Sequence, residues 1–297
     1  MTRVLCAGIA TLDYVYAVET MPTRAEKYRA RDLAVVGGGI AANAAVAIAR
    51  LGGAVGLATR LGDDVTGDAI VMELEREGVD CAPSRRFPGK RSPTSAIFVD
   101  ARGERLIVSY SDPDIPVDPA WLPASLPAGV GAVLGDTRWP EGSVHLFRLA
   151  REGGVPAVLD ADRQPALPGA LTLATHVAFS EQGLAEVTGQ DDPAEGLRSI
   201  AGRSDTWLAV TVGEGGCYFM ENGAVAHEPA FRVETVDTLG AGDTWHGAFA
   251  LALAEGMGER AAVRFASAAS AIKCTRFGGR RGMPRRAEVE AFLNERG

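Results

Sequence analysis

The stretch Asp237-Thr238-Leu239-Gly240-Ala241-Gly242-Asp243 sets carboxylates on both sides of a glycine turn, and the apolar residues from Trp245 to Leu253 that follow it have helical spacing. Gly240, Ala241 and Gly242 leave their backbone N–H groups uncovered. A helix beginning there would aim unpaired donors at an anion from the positive end of its dipole. An ionised Asp243 at the mouth of that hole could take the proton from an attacking hydroxyl while the amides hold a transferring phosphoryl group. A capped helix after a glycine turn would account for Gly-x-Gly alone. The longer string, with its acid at the helix start, is far more restrictive.

Other polar residues stand where such a site needs them. Asp13 directly follows a first apolar run, and open α/β sheets place ligand contacts beyond the carboxyl ends of their strands. A lone loop Asp is more often a turn or cap residue. Gly38 and Gly39 permit close backbone approach to a ligand, and the Asn43 amide can both donate to and accept from neighbouring hydroxyls, a role compatible with capping a helix. Thr211, Gly213 and Gly216 offer a hydroxyl and bare backbone that suit either phosphates or a β-turn. Gly37-x-Gly39-x-x-Ala42 looks like a dinucleotide fingerprint. No acidic residue ends a second strand about 20 residues on, however, and no Gly-x-x-x-x-Gly-Lys-Ser/Thr loop is present.

The elements that must position these residues alternate. Short apolar runs at Val4 to Ile9, Val55 to Thr59, Val130 to Leu134, Pro156 to Asp160, His176 to Phe179 and Trp207 to Val212 are separated by helical patterns such as Ala41 to Leu51 and Ala69 to Glu77. This alternation implies a mostly parallel sheet with helices on both faces. Residues 12–36 and 93–111 break the pattern as extended segments. Within the second, Ser95 to Asp100 and Glu104 to Tyr110 flank Ala101-Arg102-Gly103, a hairpin turn.

The 297 residues, 46% of them hydrophobic, read as one main domain without a linker or a low-complexity block. A formal charge of −8 argues against nucleic acid or an anionic membrane as a general partner and favours small molecules. Cys6, Cys81, Cys217 and Cys274 are scattered, which suits reduced thiols in packing roles and a cytoplasmic setting. The first apolar run is short and ends at Asp13, so it reads as a buried strand rather than a signal peptide.

The chain resembles the PfkB carbohydrate kinases, the ribokinase-like family. Asp237 to Asp243 has the form of the family's C-terminal signature, and Gly37-Gly38-Gly39-Ile40-Ala41-Ala42-Asn43-Ala44-Ala45-Val46 resembles its N-terminal one. Gly62-Asp63-Asp64-Val65-Thr66-Gly67, Asp160-Ala161-Asp162-Arg163, Thr211-Val212-Gly213-Glu214-Gly215-Gly216 and Thr275-Arg276-Phe277-Gly278-Gly279 follow in family order. The resemblance implies a three-layer αβα fold with a small β lid over the sugar, often a dimer interface. It implies Asp243 as catalytic base, Asp13, Gly38, Gly39 and Asn43 on the sugar, and Thr211, Gly213, Gly216, Lys273 and Gly278 around ATP. Asp237, with carbonyls near Thr275 and Gly278, would form a monovalent-cation loop for K+, although Gly282 stands where a serine ligand is common. The family's Asn-x-x-Glu motif, which organises Mg2+, is here Ser180-Glu181-Gln182-Gly183, leaving Glu181 as the neighbouring carboxylate.

That changed motif, with Lys273-Cys274-Thr275-Arg276 and Gly278-Gly279-Arg280-x-Gly282, looks like the branch that phosphorylates the C1 hydroxyl of 6-deoxy-6-sulfofructose. A sulfonate needs cations far from Asp243. Lys27 and Arg138 match the branch, Lys27 with Arg29 and Arg31 on one face of an alternating lid strand. Ser109 would complete the cradle, at a position where Asn is expected. A solvated charged strand and a surface Arg would explain the same pair. A neutral sugar, fructose 6-phosphate or a nucleoside is the alternative substrate, and a non-catalytic sugar- or nucleotide-binding regulator the alternative class. His246 reads as a polar helix residue near the site.

Overall fold

In the computed structural model, residues 2–202 and 205–296 are described. The chain runs through β1 (Arg3–Ala7), β2 (Thr11–Ala17), β3 (Asp32–Gly38) and α1 (Ile40–Arg50), then β4 (Ala54–Ala58), β5 (Arg60–Gly62), α2 (Val65–Arg76) and β6 (Arg85–Phe87). A hairpin of β7 (Thr94–Val99) and β8 (Arg105–Tyr110) precedes β9 (Val130–Asp136), α3 (Pro140–Gly153), β10 (Ala157–Ala161), α4 (Gly169–Leu173), β11 (His176–Ser180), α5 (Glu181–Thr188) and α6 (Pro193–Ile200). The last third holds β12 (Trp207–Thr211), β13 (Cys217–Glu221), β14 (Ala224–Glu228), α7 (Ala241–Ala254), α8 (Glu259–Cys274) and α9 (Arg286–Glu295).

The central sheet has the order β14-β13-β12-β11-β10-β9-β1-β4, parallel from β12 to β4 with β13 and β14 antiparallel at one edge. Its inner strands are largely apolar because both faces are covered, with Asp136 and Asp160 near the carboxyl ends of β9 and β10. Val4, Cys6, Val158 and Ala178 face a core built with α1, α2, α7 and α8. Their strand neighbours Leu5, Ala7, Leu159 and Val177 point the other way, into a core built with α3, α4, α5 and α6. The result is the expected three-layer arrangement. The β13–β14 hairpin was not anticipated. Its turn is Asn222-Gly223, with φ of +50° and +79°, a left-handed pair that Asn and Gly tolerate best.

A second sheet, β3-β2-β7-β8, stands apart from the first and fulfils the expectation of a small β layer. Register and the two-residue pleat put Asp13, Ser95 and Ser109 side by side on one face. Leu33, Val35, Val108 and Tyr110, between 42% and 59% exposed, lie on the other. Lys27 requires a correction. Residues 18–31 form no strand; the segment from 23 to 28 folds back so that the Tyr28 hydroxyl accepts from the amides of Thr23 and Arg24, both at 3.1 Å. Alternation therefore does not align Lys27 with Arg29 and Arg31, and Arg31 pairs instead with Glu19.

Helices α1 and α7 cross closely. A Cβ on Gly247 would come within 2.5 Å of the Ala44 carbonyl oxygen, so only glycine lets the α7 backbone settle there. The crossing brings Asn43, on the turn beside Ala44, to Asp243, one turn before Gly247.

Candidate active site

Gly240 caps α7 with φ +76°, a left-handed geometry glycine adopts without strain. The amides of Gly242 and Asp243 meet no backbone acceptor among the described residues, whereas that of Ala241 donates to the Thr238 carbonyl at 3.1 Å. The anion hole is thus narrower than the Gly240-Ala241-Gly242 string implied. A Cβ built on Gly242 meets nothing within 4 Å, so this glycine fronts open space.

Asp243 is partly exposed at that opening. Asn43 Nδ2 donates to Asp243 Oδ2 at 2.6 Å. The orientation of that amide is fixed from behind, because Arg280 Nε donates to Asn43 Oδ1 at 2.6 Å while its Nη2 donates to the Gly38 carbonyl at 2.7 Å. Arg280 Nη1 is buried, lies 3.4 Å from Glu73 without forming an aligned hydrogen bond, and would collide with any side chain at Gly37. Burial, then the Asp160 charge, pushes the Asp243 carboxyl up to about 7, against the hydrogen bond from Asn43. A carboxylate poised there is a proton acceptor near neutral pH.

Asp136 ends β9 and Asp160 is next to last in β10, and Asp160 with Asp162 makes an acidic wall toward Asp243. His246 answers it. Buried at 3% exposure, it sits 2.9 Å from Asp160 and also within hydrogen-bond reach of the carbonyls of Gly242 and Ala178. Burial lowers its pKa, but the charge and hydrogen bond of Asp160, together with the Gly242 and Ala178 carbonyls, raise the imidazole on balance to about 9, so it is a cation at neutral pH. The reading of His246 as an ordinary polar helix residue misses this buried ion pair.

On the lid side, Asp13 is buried and accepts from Thr11 Oγ1 at 2.8 Å; burial raises its pKa against help from Thr11 and Ser95. Side chains at Gly38 and Gly39 would strike Asp13 Oδ2 at 2.0 Å and the Ile9 carbonyl oxygen at 2.4 Å. These glycines therefore let the β3–α1 turn lie against Asp13. Ser109 Oγ is 3.3 Å from Ser95 Oγ, in the row of Asp13, and makes no contact with Lys27 or Arg138. Lys27 is exposed, and Arg138 Nη2 donates to Asp162. No hydrogen bond or ion pair joins the two cations among the described residues.

A cavity of about 260 Å³ opens on the other side of Gly242. Thr211, Gly213 and Gly216 line it as expected, together with Phe231, Thr238, Trp245, Ser267 and Ala271. Gly216, with φ +91°, has no room for a Cβ, which would meet the Glu228 carbonyl oxygen at 2.2 Å. Lys273 and Gly278, expected here, lie elsewhere. The Gly278 amide donates to Asp237 Oδ2 at 3.0 Å, and the wholly buried Lys273 donates from Nζ to the Asp237 carbonyl at 2.7 Å. Asp237 also receives Arg105 of β8 at 2.7 Å on Oδ1, a contact between the lid and the start of the anion-hole loop.

The sequence profile of the pfkB family carbohydrate kinases matches residues 1–286. The chain belongs to that family. The kinase is 31% identical to a ribokinase of Bacillus subtilis over 99% of this chain and 100% of that one, and 33% identical to a fructokinase of Klebsiella pneumoniae over 70% and 74%. A solved structure of a candidate ribokinase from Agrobacterium tumefaciens superposes with a TM-score of 0.91 at 40% identity, over 99% of this chain and 98% of that one. Kinases of this family are phosphotransferases acting on sugar hydroxyls, and the fold of this one is ribokinase-like.

The changed Ser180-Glu181-Gln182-Gly183 motif has a structural basis in this kinase. Ser180 Oγ caps α5, accepting from the Gly183 amide at 3.0 Å, and donates to the Asp162 carbonyl at 2.8 Å. A side chain at Gly183 would meet the Ala161 carbonyl oxygen at 2.1 Å, so a glutamate cannot occupy that position without moving β10. Glu181 is exposed at the start of α5. Arg280, Asp160 and His246 escaped sequence reasoning as functional residues. The only local signal was the glycine-flanked Arg280, which alone named no partner.

Proposed function

We propose that this kinase transfers the γ-phosphoryl group of ATP to a primary hydroxyl of a sugar, with Asp243 taking the hydroxyl proton and the amides at the start of α7 receiving the transferring group. The observation that carries the reading is Asp243 itself: held by Asn43 in the first turn of α7, next to Gly242 of the nucleotide-side cavity, with its carboxyl raised to about 7. Asp13, Gly38, Gly39 and Asn43 bind the sugar, and Thr211, Gly213 and Gly216 cradle the nucleotide. Magnesium enters on ATP, held by phosphate oxygens and water, with Glu181 beside those waters. The crowding of Asp160 and Asp162 around Asp243, each raising its pKa, favours a cation there. The kinase works in the cytoplasm as a homodimer joined through its lid.

For the sugar we favour 6-deoxy-6-sulfofructose, phosphorylated at C1, with its sulfonate on Lys27 and Arg138 and a hydroxyl on Ser109. The sulfonate would have to draw Arg138 from Asp162. That pairing favours a second reading, a neutral sugar, since it leaves Arg138 without need of an anion; the ribokinase and fructokinase relatives point the same way. ADP release with ATP and magnesium, measured across 6-deoxy-6-sulfofructose, fructose 6-phosphate, fructose, ribose and adenosine, decides. A sulfofructose preference lost in Lys27→Ala and Arg138→Ala is the expected result. A preference for fructose or ribose, indifferent to both changes, keeps the kinase and replaces the substrate.

A further inference from the structure

The family resemblance implies a monovalent cation at the Asp237 loop, and the residues there do not fit one. Lys273 projects from the last turn of α8 into this loop with no exposed surface. Its Nζ lies 2.7 Å from the Asp237 carbonyl oxygen, 3.2 Å from Asp237 Oδ2 and 3.5 Å from the Arg276 carbonyl oxygen. Those are the carbonyl and carboxylate oxygens that a bare cation would need, and the ammonium already sits among them. The second Asp237 oxygen is held by Arg105 and the Leu239 amide.

We infer that Lys273 is a built-in monovalent cation, which holds the Asp237 loop in shape for the anion hole and makes this kinase independent of K+. The connection to the hole is short. Asp237 Oδ1 accepts from the Leu239 amide at 2.9 Å, and the next residue is Gly240, whose left-handed turn presents the amides of Gly242 and Asp243. Without the ammonium, the Asp237 carboxylate, at 7% exposure, would keep Arg105 and the loop amides but would face the carbonyl oxygens of Asp237 and Arg276 with no donor between them, which would reorganise that turn. A tethered ammonium supplies the charge at fixed geometry without the entropy of capturing an ion. Lys273 touches neither substrate nor reacting atoms and is a positioning residue. The inference rests on the proposed kinase reading for its effect on turnover, but not for its effect on stability.

Two readouts separate those. Thermal unfolding with ATP and magnesium is followed in KCl, in NH4Cl and in tetramethylammonium chloride at equal ionic strength, for wild type, Lys273→Met and the more soluble Lys273→Gln; ADP release with the preferred sugar is measured in the same salts. The wild-type midpoint and turnover are expected to be the same in all three salts, the latter within about two-fold. Both variants are expected to lose turnover by about 10-fold or more in tetramethylammonium and to regain midpoint and turnover in K+ or NH4+. A wild-type midpoint or rate that climbs with K+ overturns the inference. So do variants that fold yet respond alike to all three salts, because a merely structural lysine would not be replaced by a free ion. If no sugar supports ADP release, the midpoints alone decide, and the kinase reading falls separately.

Discussion

Two titrating side chains one turn apart on α7 have opposite tasks. As the proposed base, Asp243 would have to lose its proton to act, so kcat/KM is expected to rise about ten-fold per pH unit below 7 and level off above it; a flat profile between pH 6 and 8 would remove Asp243 as base. Its raised pKa also means that ionisation weakens the fold as pH climbs from the ordinary carboxylate range toward 7. Asp243→Asn should therefore lower turnover by about 10² or more while leaving ATP affinity unchanged and raising the melting temperature by about 1–3 °C. His246 runs the other way. Raised to about 9, it contributes stability that is complete below its ordinary value near 6.5 and is lost as pH rises through 9. The pH 7-to-10 loss of stability should shrink in His246→Gln by on the order of 2 kcal/mol, read by denaturant titration at each pH. The proposed role of Asp243 could be read from the sequence because the glycines of the anion hole are its neighbours in the chain. Arg280 was not, because its partner Asn43 lies 237 residues away, and no local pattern encodes a pairing of that span.

Glycines at two positions along α7 have different reasons to lack a side chain. Gly247 lies against the Ala44 carbonyl, so Gly247→Ala should push α7 from α1, cost roughly 1–3 kcal/mol, and part Asn43 from Asp243. Gly242 fronts open space. Gly242→Ala should keep or slightly raise the melting temperature while cutting turnover about ten-fold or more, since its methyl group would occupy the phosphoryl approach. Calorimetry beside steady-state kinetics on the two variants checks both, and a Gly242→Ala enzyme with full turnover would move the phosphoryl site elsewhere. The buried parallel strands were readable as apolar runs, and the lid strands as extended segments with no helical pattern between them. The β13–β14 edge carried its own Asn222-Gly223 turn signal, which a search for parallel runs passes over. Lys27 misled because charged residues at alternate positions mimic a strand, while Pro22 and the scarcity of apolar partners around it mark a loop.

For the whole molecule, the proposed lid dimer would rest on the outer lid face. Leu33, Val35, Val108 and Tyr110 present aliphatic and aromatic surface on an otherwise acidic protein, and a second copy would cover them. Light scattering should give twice the chain mass for wild type and the single-chain mass for Val108→Glu; a wild-type monomer at micromolar concentration would discard the lid dimer. The lid also reaches inward to the loop before α7, where Arg105 of β8 pairs with Asp237. With the sugar under the lid and the nucleotide at the anion hole, as proposed, the two would draw on a common contact, and thermodynamic linkage requires that whatever factor the first ligand imposes on the second, the second returns to the first. Titration calorimetry of each ligand with and without the other should give equal factors, both nearing one in Arg105→Ala. A coupling of this kind would also restrain idle ATP hydrolysis, because the cradle for the phosphoryl group would be fully drawn together only with an acceptor beneath the cover.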